Sequence, residues 1–149
     1  MATWGEIAKD APDFSKRVRR RFGMGINKAL ATVRRDGSPR ISAIETEFGD
    51  EEVTMGMMAG SVKLLDVRRD PRVALHSPTV DAPEGDPEWP GDAKLAGTLI
   101  ETGPTDGPAG TLFKMDITEA VLTYVGTPAD HLVIESWHQG NGWRREPRY

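Results

Sequence analysis

The sequence predicts a mainly β domain, a small barrel with a few short helices. Short β-prone runs, separated by Gly, Pro and Asp turns, recur along most of the 149 residues. Asp36-Gly37 between two such runs is a strong hairpin signal, and the next runs continue as an antiparallel meander. One helical segment, at residues 61–69, interrupts the series. A meander, a single crossover helix and later strands together indicate a closed or nearly closed barrel.

Two short helices are expected before the barrel. Thr3 and Glu6 have the spacing of a capping box, in which a hydroxyl and a carboxylate satisfy free amides at a helix start. Pro12 ends that helix, and Asp13 is expected to cap the next one. Gly23 ends the second helix. Its apolar residues recur four apart and form one stripe: Phe14, Val18 and Phe22.

The remaining elements follow from alternation and turn residues. The expected strands are 27–34, 40–48, 53–57, 72–77, 94–102, 112–125 and, last, 131–137. Asp70-Pro71 ends the helix at 61–69, because the residue before a proline disfavours helical backbone. Residues 78–92, rich in proline and acidic side chains, and residues 103–110 are expected to be loops.

Composition limits the class of protein. The chain is expected to be one domain over 1–149, with a helical segment at about 1–24, and is long enough to bury a core. No apolar run could cross a bilayer, and no secretory pattern opens the sequence, so a cytoplasmic location is expected. Without cysteine, disulfides, thiol nucleophiles and cysteine-ligated metals are excluded.

The charge pattern argues against a nucleic-acid binder. The net charge is −4, with a basic excess in residues 1–78 and an acidic excess in 79–149. The dense basic run at 16–21 is interpreted first as the solvated side of a docked helix. Alternatively, some of these arginines line a groove for an anionic ligand. The three histidines lack metal-ligand spacing, so no metal site is predicted: His76, His131 and His138.

The segment 57–63 carries the most chemistry. It ends a strand, crosses a turn at Gly60 and opens a helix. A helix start offers unpaired amide donors and the positive end of the peptide dipole, which attract phosphate. Ser61 is the expected N-cap, and Lys63 adds a positive charge. By itself this pattern is also that of an ordinary capped helix.

The order of the motifs resembles the pyridoxamine 5′-phosphate oxidase-like family of FMN-binding proteins. Asp36-Gly-Ser-Pro39, a strand, Ser61-Val-Lys63, a helix and Asp70-Pro71 follow that family's pattern, and the resemblance covers roughly residues 25–145. It implies a split β-barrel of the FMN-binding-protein-like type. It also implies a homodimer that holds FMN at the subunit interface.

The resemblance assigns a set of cofactor-binding residues. They are Gly60, Ser61, Lys63, Met57, Met58, Arg40, Ser42 and Trp137. Ser61 and Lys63 fall on positions that grip the cofactor phosphate, while Arg40 and Ser42 lie on a strand that lines the flavin ring or the phosphate. Arg40 is equally compatible with an exposed strand charge. Met57 departs from the family pattern, because many relatives have a threonine there that also reaches the phosphate.

The C-terminal region adds a second likeness. Residues 134–140 resemble the family's Glu-Phe-Trp-Gln-Gly segment, which implies that Trp137 lies near the flavin, from the partner subunit. True pyridoxine-phosphate oxidases follow that segment with Arg-x-His to hold the substrate phosphate. Glu146 occupies the place of this histidine after Arg144-Arg145, so a vitamin B6 oxidase is disfavoured.

The resulting hypothesis is an FMN-dependent oxidoreductase that transfers hydride to or from a small molecule, with catalytic residues unassigned. An alternative is a reductase that uses the deazaflavin coenzyme, whose anionic tail would suit a basic groove at Arg34, Arg35 or residues 17–21. A non-catalytic flavin- or haem-binding module and a barrel without cofactor are also compatible with the sequence. No membrane or nucleic-acid partner is expected.

Overall fold

Three helices and eight strands occupy the part of the chain that the computed structural model describes, residues 2–81, 89 and 91–149. The helices are α1 (Trp4–Asp10), α2 (Pro12–Phe22) and α3 (Val62–Arg69). The strands are β1 (Asn27–Val33), β2 (Pro39–Phe48), β3 (Val53–Met58), β4 (Arg72–His76), β5 (Asp92–Pro104), β6 (Gly110–Val125), β7 (Leu132–His138) and β8 (Gly142–Arg148).

The strands form a closed barrel with an extension. Hydrogen bonding follows the order β3-β2-β1-β4-β5-β6, and an additional β3–β6 pairing closes these six strands into a ring. β7 and β8 continue the sheet beyond β6. All the registers are antiparallel, as in a meander. The predicted mainly β barrel with a few short helices is therefore confirmed.

The first hairpin has the turn that its sequence predicts. Val33 pairs with Pro39 at the strand ends, and Gly37 between them has a φ of 87°, a conformation that glycine adopts without strain. The carboxylate of Asp36 accepts hydrogen bonds from the amide and the hydroxyl of Ser38. Local turn chemistry thus fixes the β1–β2 register.

The helices α2 and α3 lie at opposite ends of the barrel. The Arg19 guanidinium of α2 donates to the carbonyl of Phe48, the last residue of β2, over 2.6 Å. The Arg69 guanidinium of α3 donates to the carbonyl of Val33, the last residue of β1, over 2.6 Å. Because β1 and β2 are antiparallel, these two carbonyls mark opposite ends. The predicted stripe of α2 is buried in the core: Phe14, Val18 and Phe22.

Two local predictions are wrong. Asp13 does not cap α2: Ala11 is the N-cap residue, without a side-chain hydrogen bond, and Pro12 takes the first turn of the helix. Asp13 instead pairs with Arg17 one turn later. The segment ending at 137 is not the last strand, because β8 follows and pairs along β7.

The predicted loop at 78–92 lies partly outside the described residues, which exclude 82–88 and 90. Asp92 already belongs to β5.

No helix within the described residues has the length and apolar character needed to cross a membrane.

Candidate cofactor-phosphate site

The strand–turn–helix segment around Ser61 forms as the sequence predicts. β3 ends at Met58, and Ser61 is the N-cap residue of α3 with extended backbone. Its side chain makes no capping hydrogen bond. The Oγ atom is buried and has no hydrogen-bond partner among the described residues. The prediction that Ser61 is the N-cap residue of α3 is confirmed, and its hydroxyl, which the helix start does not use, has no partner among the described residues.

Lys63 reaches from α3 to the neighbouring strand β2. Its Nζ atom donates to the carbonyl oxygen of Ala43 over 2.6 Å. Burial lowers the pKa of the Lys63 ammonium, because desolvation disfavours the charged form. Ser42 precedes Ala43 on β2, and its Oγ atom is also buried without a hydrogen-bond partner among the described residues. Lys63 thus lies beside the strand that carries two of the three buried hydroxyls without a partner among the described residues, those of Ser42 and Thr46; the third is that of Ser61.

A buried carboxylate, that of Asp66, connects helix α3 to strands β1 and β2. Its side chain is only 2% exposed. Thr32 of β1 donates its hydroxyl to Oδ2 over 2.7 Å, and Arg40 of β2 donates from Nε to the same atom over 2.7 Å. Arg69 donates to Oδ1 over 3.3 Å. Burial opposes ionisation of Asp66, but these hydrogen bonds outweigh it and hold the pKa below its ordinary value.

The charges around Asp66 leave this end of the barrel positive. Two basic side chains, Arg40 and Arg69, pair with this one carboxylate, and Lys63 of the same helix adds a third positive charge that is bonded to the Ala43 carbonyl. Arg40 is therefore paired through Asp66, which excludes its interpretation as a free, exposed strand charge. Positive charge with unpartnered hydroxyls is the donor set that a phosphate group requires.

The other predicted residues of the β3–α3 segment differ in exposure. Met57 is buried in the barrel core, with 2% of its surface exposed, so its side chain faces away from any external ligand. Met58 is 76% exposed. Gly60 is exposed, and a Cβ atom there would meet nothing within 4 Å. Close backbone packing is therefore not the reason for the glycine.

Trp137 does not join the other predicted residues within one chain. It lies on β7, which pairs with β6 outside the closed ring, whereas Ser42 lies on β2. Its Nε1 atom donates to Asp10 of α1 over 2.9 Å, and the ring is buried. The expected contact with a flavin from a partner subunit stays a prediction.

Sequence reasoning missed Asp66, together with its partners Thr32 and Arg69. The only signal was an acidic residue between Lys63 and Arg69 on a short helix, and such residues are usually solvated. The donors that stabilise the buried charge come from three elements, which only the folded chain brings together.

Comparison with solved structures identifies the fold. A pyridoxamine 5′-phosphate oxidase-related, FMN-binding protein from Nostoc punctiforme superposes with a TM-score of 0.65 at 11% identity, over 93% of this chain and 96% of that chain. This chain has the split-barrel fold of that protein. PhzG from Burkholderia lata, solved in complex with tetrahydrophenazine-1-carboxylic acid, matches this split barrel at a TM-score of 0.61 and 12% identity, over 92% of this chain and 86% of that one.

A third solved structure with this fold is that of a protein with a different cofactor in its name. A protein described as an F420 reductase matches at a TM-score of 0.53 and 18% identity, over 67% of this chain and 92% of its own. No protein-family model and no curated protein matches the sequence. These likenesses establish the split-barrel fold of the chain, which is the fold that the motif order predicts.

Proposed function

We propose that this protein binds a flavin-type cofactor, FMN first, by its phosphate at Ser61 and Lys63 and acts as an oxidoreductase. The observation that carries the proposal is that two of the three buried hydroxyls without a partner among the described residues, on Ser42 and Ser61, are close in sequence to Lys63 or to Ala43, whose carbonyl accepts from Lys63. Buried polar atoms without a partner are rare and costly in folded proteins. A phosphate group beside Lys63 would accept hydrogen bonds from both hydroxyls.

The residues present fit a phosphate in charge as well as in donors. Lys63 and Arg40 supply positive charge, and Asp66 holds the Arg40 guanidinium in place from the helix side. The ammonium of Lys63 donates to a backbone carbonyl and retains two further N–H donors. A charge-assisted hydrogen bond to a phosphate oxygen is about twice as strong as a neutral one.

The bound flavin would supply hydride transfer, which requires no nucleophile from the protein. The chain's own residues bind and orient. Lys63 and the two hydroxyls would fix the phosphate end, and the Arg40 guanidinium would lie beside it, held by Asp66. The substrate of the proposed reaction is a small molecule.

A second candidate cofactor is the deazaflavin coenzyme. The split barrel described as an F420 reductase supports it. Arg34 and Arg35 are exposed in the β1–β2 hairpin, at the same barrel end as α3, where an anionic tail would meet them. The arginines of residues 17–21 belong to α2 at the opposite end, so within one chain they are poorly placed for this tail.

We also propose that two copies of the chain form a homodimer. Exposed apolar side chains support this: Ile41 on β2 is 75% exposed, and Leu65 on α3 is 61% exposed. Ala31 pairs with both Ile41 and Ala74, so small and apolar residues continue across three adjacent strands on this face. A face of this kind is typical of a surface that a partner covers.

The decisive experiment compares cofactors with and without a phosphate. Lys63→Met should weaken FMN binding by tenfold or more, because one charge-assisted contact is lost, and should leave riboflavin binding unchanged. Lys16→Met, which removes an exposed lysine of α2, is the matched control. Equal FMN affinity of the Lys63→Met variant and the wild type would overturn the phosphate assignment.

Absorption spectra of the purified protein distinguish the two cofactors. Bound FMN gives a near-ultraviolet band and a blue band, whereas the oxidised deazaflavin gives one main violet-blue band. Reduction of the bound cofactor by a nicotinamide or deazaflavin donor, followed by reoxidation, would support oxidoreductase activity. Tight binding with no turnover by any of these donors would contradict the activity while leaving the binding site intact.

A further inference from the structure

A separate cavity of about 580 Å³ lies between α2 and the last residues of β6. This volume falls within the range of about 300–1,000 Å³ that small-molecule sites occupy. Arg17, Arg20 and Arg21 of α2 contribute to its walls, together with Leu122 and Tyr124 of β6. Because α2 and α3 occupy opposite barrel ends, this cavity is distinct from the candidate phosphate site within one chain.

One of the three arginines is already neutralised. Arg17 donates to both oxygens of Glu135 over 2.6 and 2.7 Å. Tyr124 donates its hydroxyl to Glu135 over 2.5 Å, and Trp143 donates from Nε1 over 3.0 Å. The hydrogen bond with Glu135 raises the pKa of Arg17, which stays charged and engaged. Arg17 therefore forms a fixed wall of the cavity.

Arg20 and Arg21 have no acidic partner among the residues that the structure describes. Within residues 2–81, 89 and 91–149, no carboxylate forms an ion pair with either side chain. The Nη1 atom of Arg21 is buried and has no hydrogen-bond partner in the same residues. Burial, and the neighbouring charge of Arg20, lower the pKa of Arg21. Two adjacent guanidiniums, one of them partly desolvated, favour an anion between them.

The part of the cavity lining that comes from β6 and the residues after it is largely apolar and aromatic. Leu122 is 2% exposed, and Val125 and Ala129 line the same space. The Tyr124 ring lies here too, and the Arg17 guanidinium carbon is 5.9 Å from its centroid. A flat apolar group can pack on this wall while its charged end faces the arginines.

We propose that this cavity binds a small organic anion whose carboxylate or phosphate pairs with Arg20 and Arg21 and whose aromatic or apolar body packs against Leu122 and Tyr124. The guanidinium fork suits either oxyanion, since both accept two parallel hydrogen bonds. The site goes beyond the cofactor proposal and does not depend on a bound flavin.

The test uses benzoate, phenyl phosphate and neutral benzyl alcohol, followed by amide chemical shifts in the folded, full-length protein. Benzoate or phenyl phosphate should shift the amides of residues 122–126, and the better ligand reveals which oxyanion is preferred. Arg20→Met and Arg21→Met should each weaken that ligand by tenfold or more, the size expected for one lost charge-assisted contact. Arg20 is exposed, so its variant retains the fold even if the Arg21 variant does not.

Lys16→Met is the matched control, because Lys16 is exposed on the same helix and does not line the cavity. Unchanged binding in Lys16→Met and in Lys63→Met would support a specific site at this barrel end. The proposal is overturned if neither anion shifts residues 122–126 at millimolar concentration. Equal binding of benzyl alcohol, or equal weakening by Lys16→Met, would also overturn it.

Discussion

The Nε atom of Arg40 lies 2.7 Å from Oδ2 of Asp66, and this ion pair joins strand β2 to helix α3. The carboxylate is 2% exposed, whereas the arginine keeps 28% of its side-chain surface in solvent. The acidic partner is therefore the buried one and bears most of the desolvation cost, which its three donors offset. One side of the guanidinium faces Asp66, and the exposed remainder is available to a ligand.

We expect Asp66→Asn to destabilise the fold by about 1–3 kcal/mol, the size of lost hydrogen bonds to a charged group. Removing one partner of a fully buried ion pair lowers the free energy of unfolding by about 3–5 kcal/mol. The cost is lower here because Arg40 and Arg69 are 28% and 33% exposed and regain water. Urea unfolding of variant and wild type measures the difference in free energy of unfolding.

Glu101→Gln is the control for this prediction. Glu101 also pairs with an arginine of α3, Arg68, over 2.7 Å, but the two side chains are 47% and 50% exposed. Exposed ion pairs contribute about 0–1 kcal/mol. A loss in Asp66→Asn no larger than that in Glu101→Gln would show that burial of the carboxylate does not strengthen the network.

Acid should destabilise the fold through Asp66 and Glu135. Burial opposes ionisation of both, but their hydrogen bonds hold each pKa in the folded chain below its ordinary value, 3.8 for Asp66 and 4.5 for Glu135. The unfolded chain therefore binds protons first as the pH falls. The stabilisation is complete above these ordinary values and is lost as the pH falls through the lower, folded-state values.

Urea unfolding from pH 7 to pH 2.5 measures this dependence. Asp66→Asn and Glu135→Gln should each reduce the slope of unfolding free energy against pH in the acidic range, because each removes one titrating group. The wild type, measured in parallel, provides the reference slope. Parallel curves for all three proteins would contradict the role assigned to these carboxylates.

Local sequence patterns predicted those strands of the barrel that bury one face. In β3, Val53, Met55 and Met57 alternate and all three are buried, as the sequence indicates. β8 carries no such pattern, since Gly142–Arg148 is mostly polar and exposed. It is ordered by its pairing along β7, a long-range interaction that short-range patterns do not encode.

The candidate site was predictable in its backbone and only partly in its side chains. The strand, turn and helix around Ser61 follow from local residues. The burial of Asp66 depends on Thr32 and Arg40, which lie 34 and 26 residues away in the chain. The cavity beside Arg21 likewise needs β6, so the basic run on α2 alone left its two interpretations open.

Gly97→Ala should destabilise the β5–β6 pair by about 1–3 kcal/mol, the cost of overpacking a site that cannot relax. A Cβ atom at Gly97 would collide with the backbone carbonyl of Asp116, at the position where the β5–β6 register shifts. Gly107→Ala is the matched control, because a Cβ atom there meets nothing within 4 Å. Thermal unfolding of both variants measures the effect. An equal fall of the two midpoint temperatures would contradict the steric argument.

Ile41→Glu should convert the proposed homodimer into a monomer. Ile41 is the most exposed apolar side chain on the face shared by β1, β2 and β4, at 75% exposure, so a charge there should cost little in the isolated chain. In a dimer the same charge would be buried without a partner, which costs several kcal/mol. Leu132→Glu, on β7 at 40% exposure, is the control and should leave association unchanged. Sedimentation velocity at micromolar concentration measures the outcome. A wild type that sediments as a monomer would contradict the homodimer, and an Ile41→Glu variant that stays dimeric would show that the subunit contact lies elsewhere.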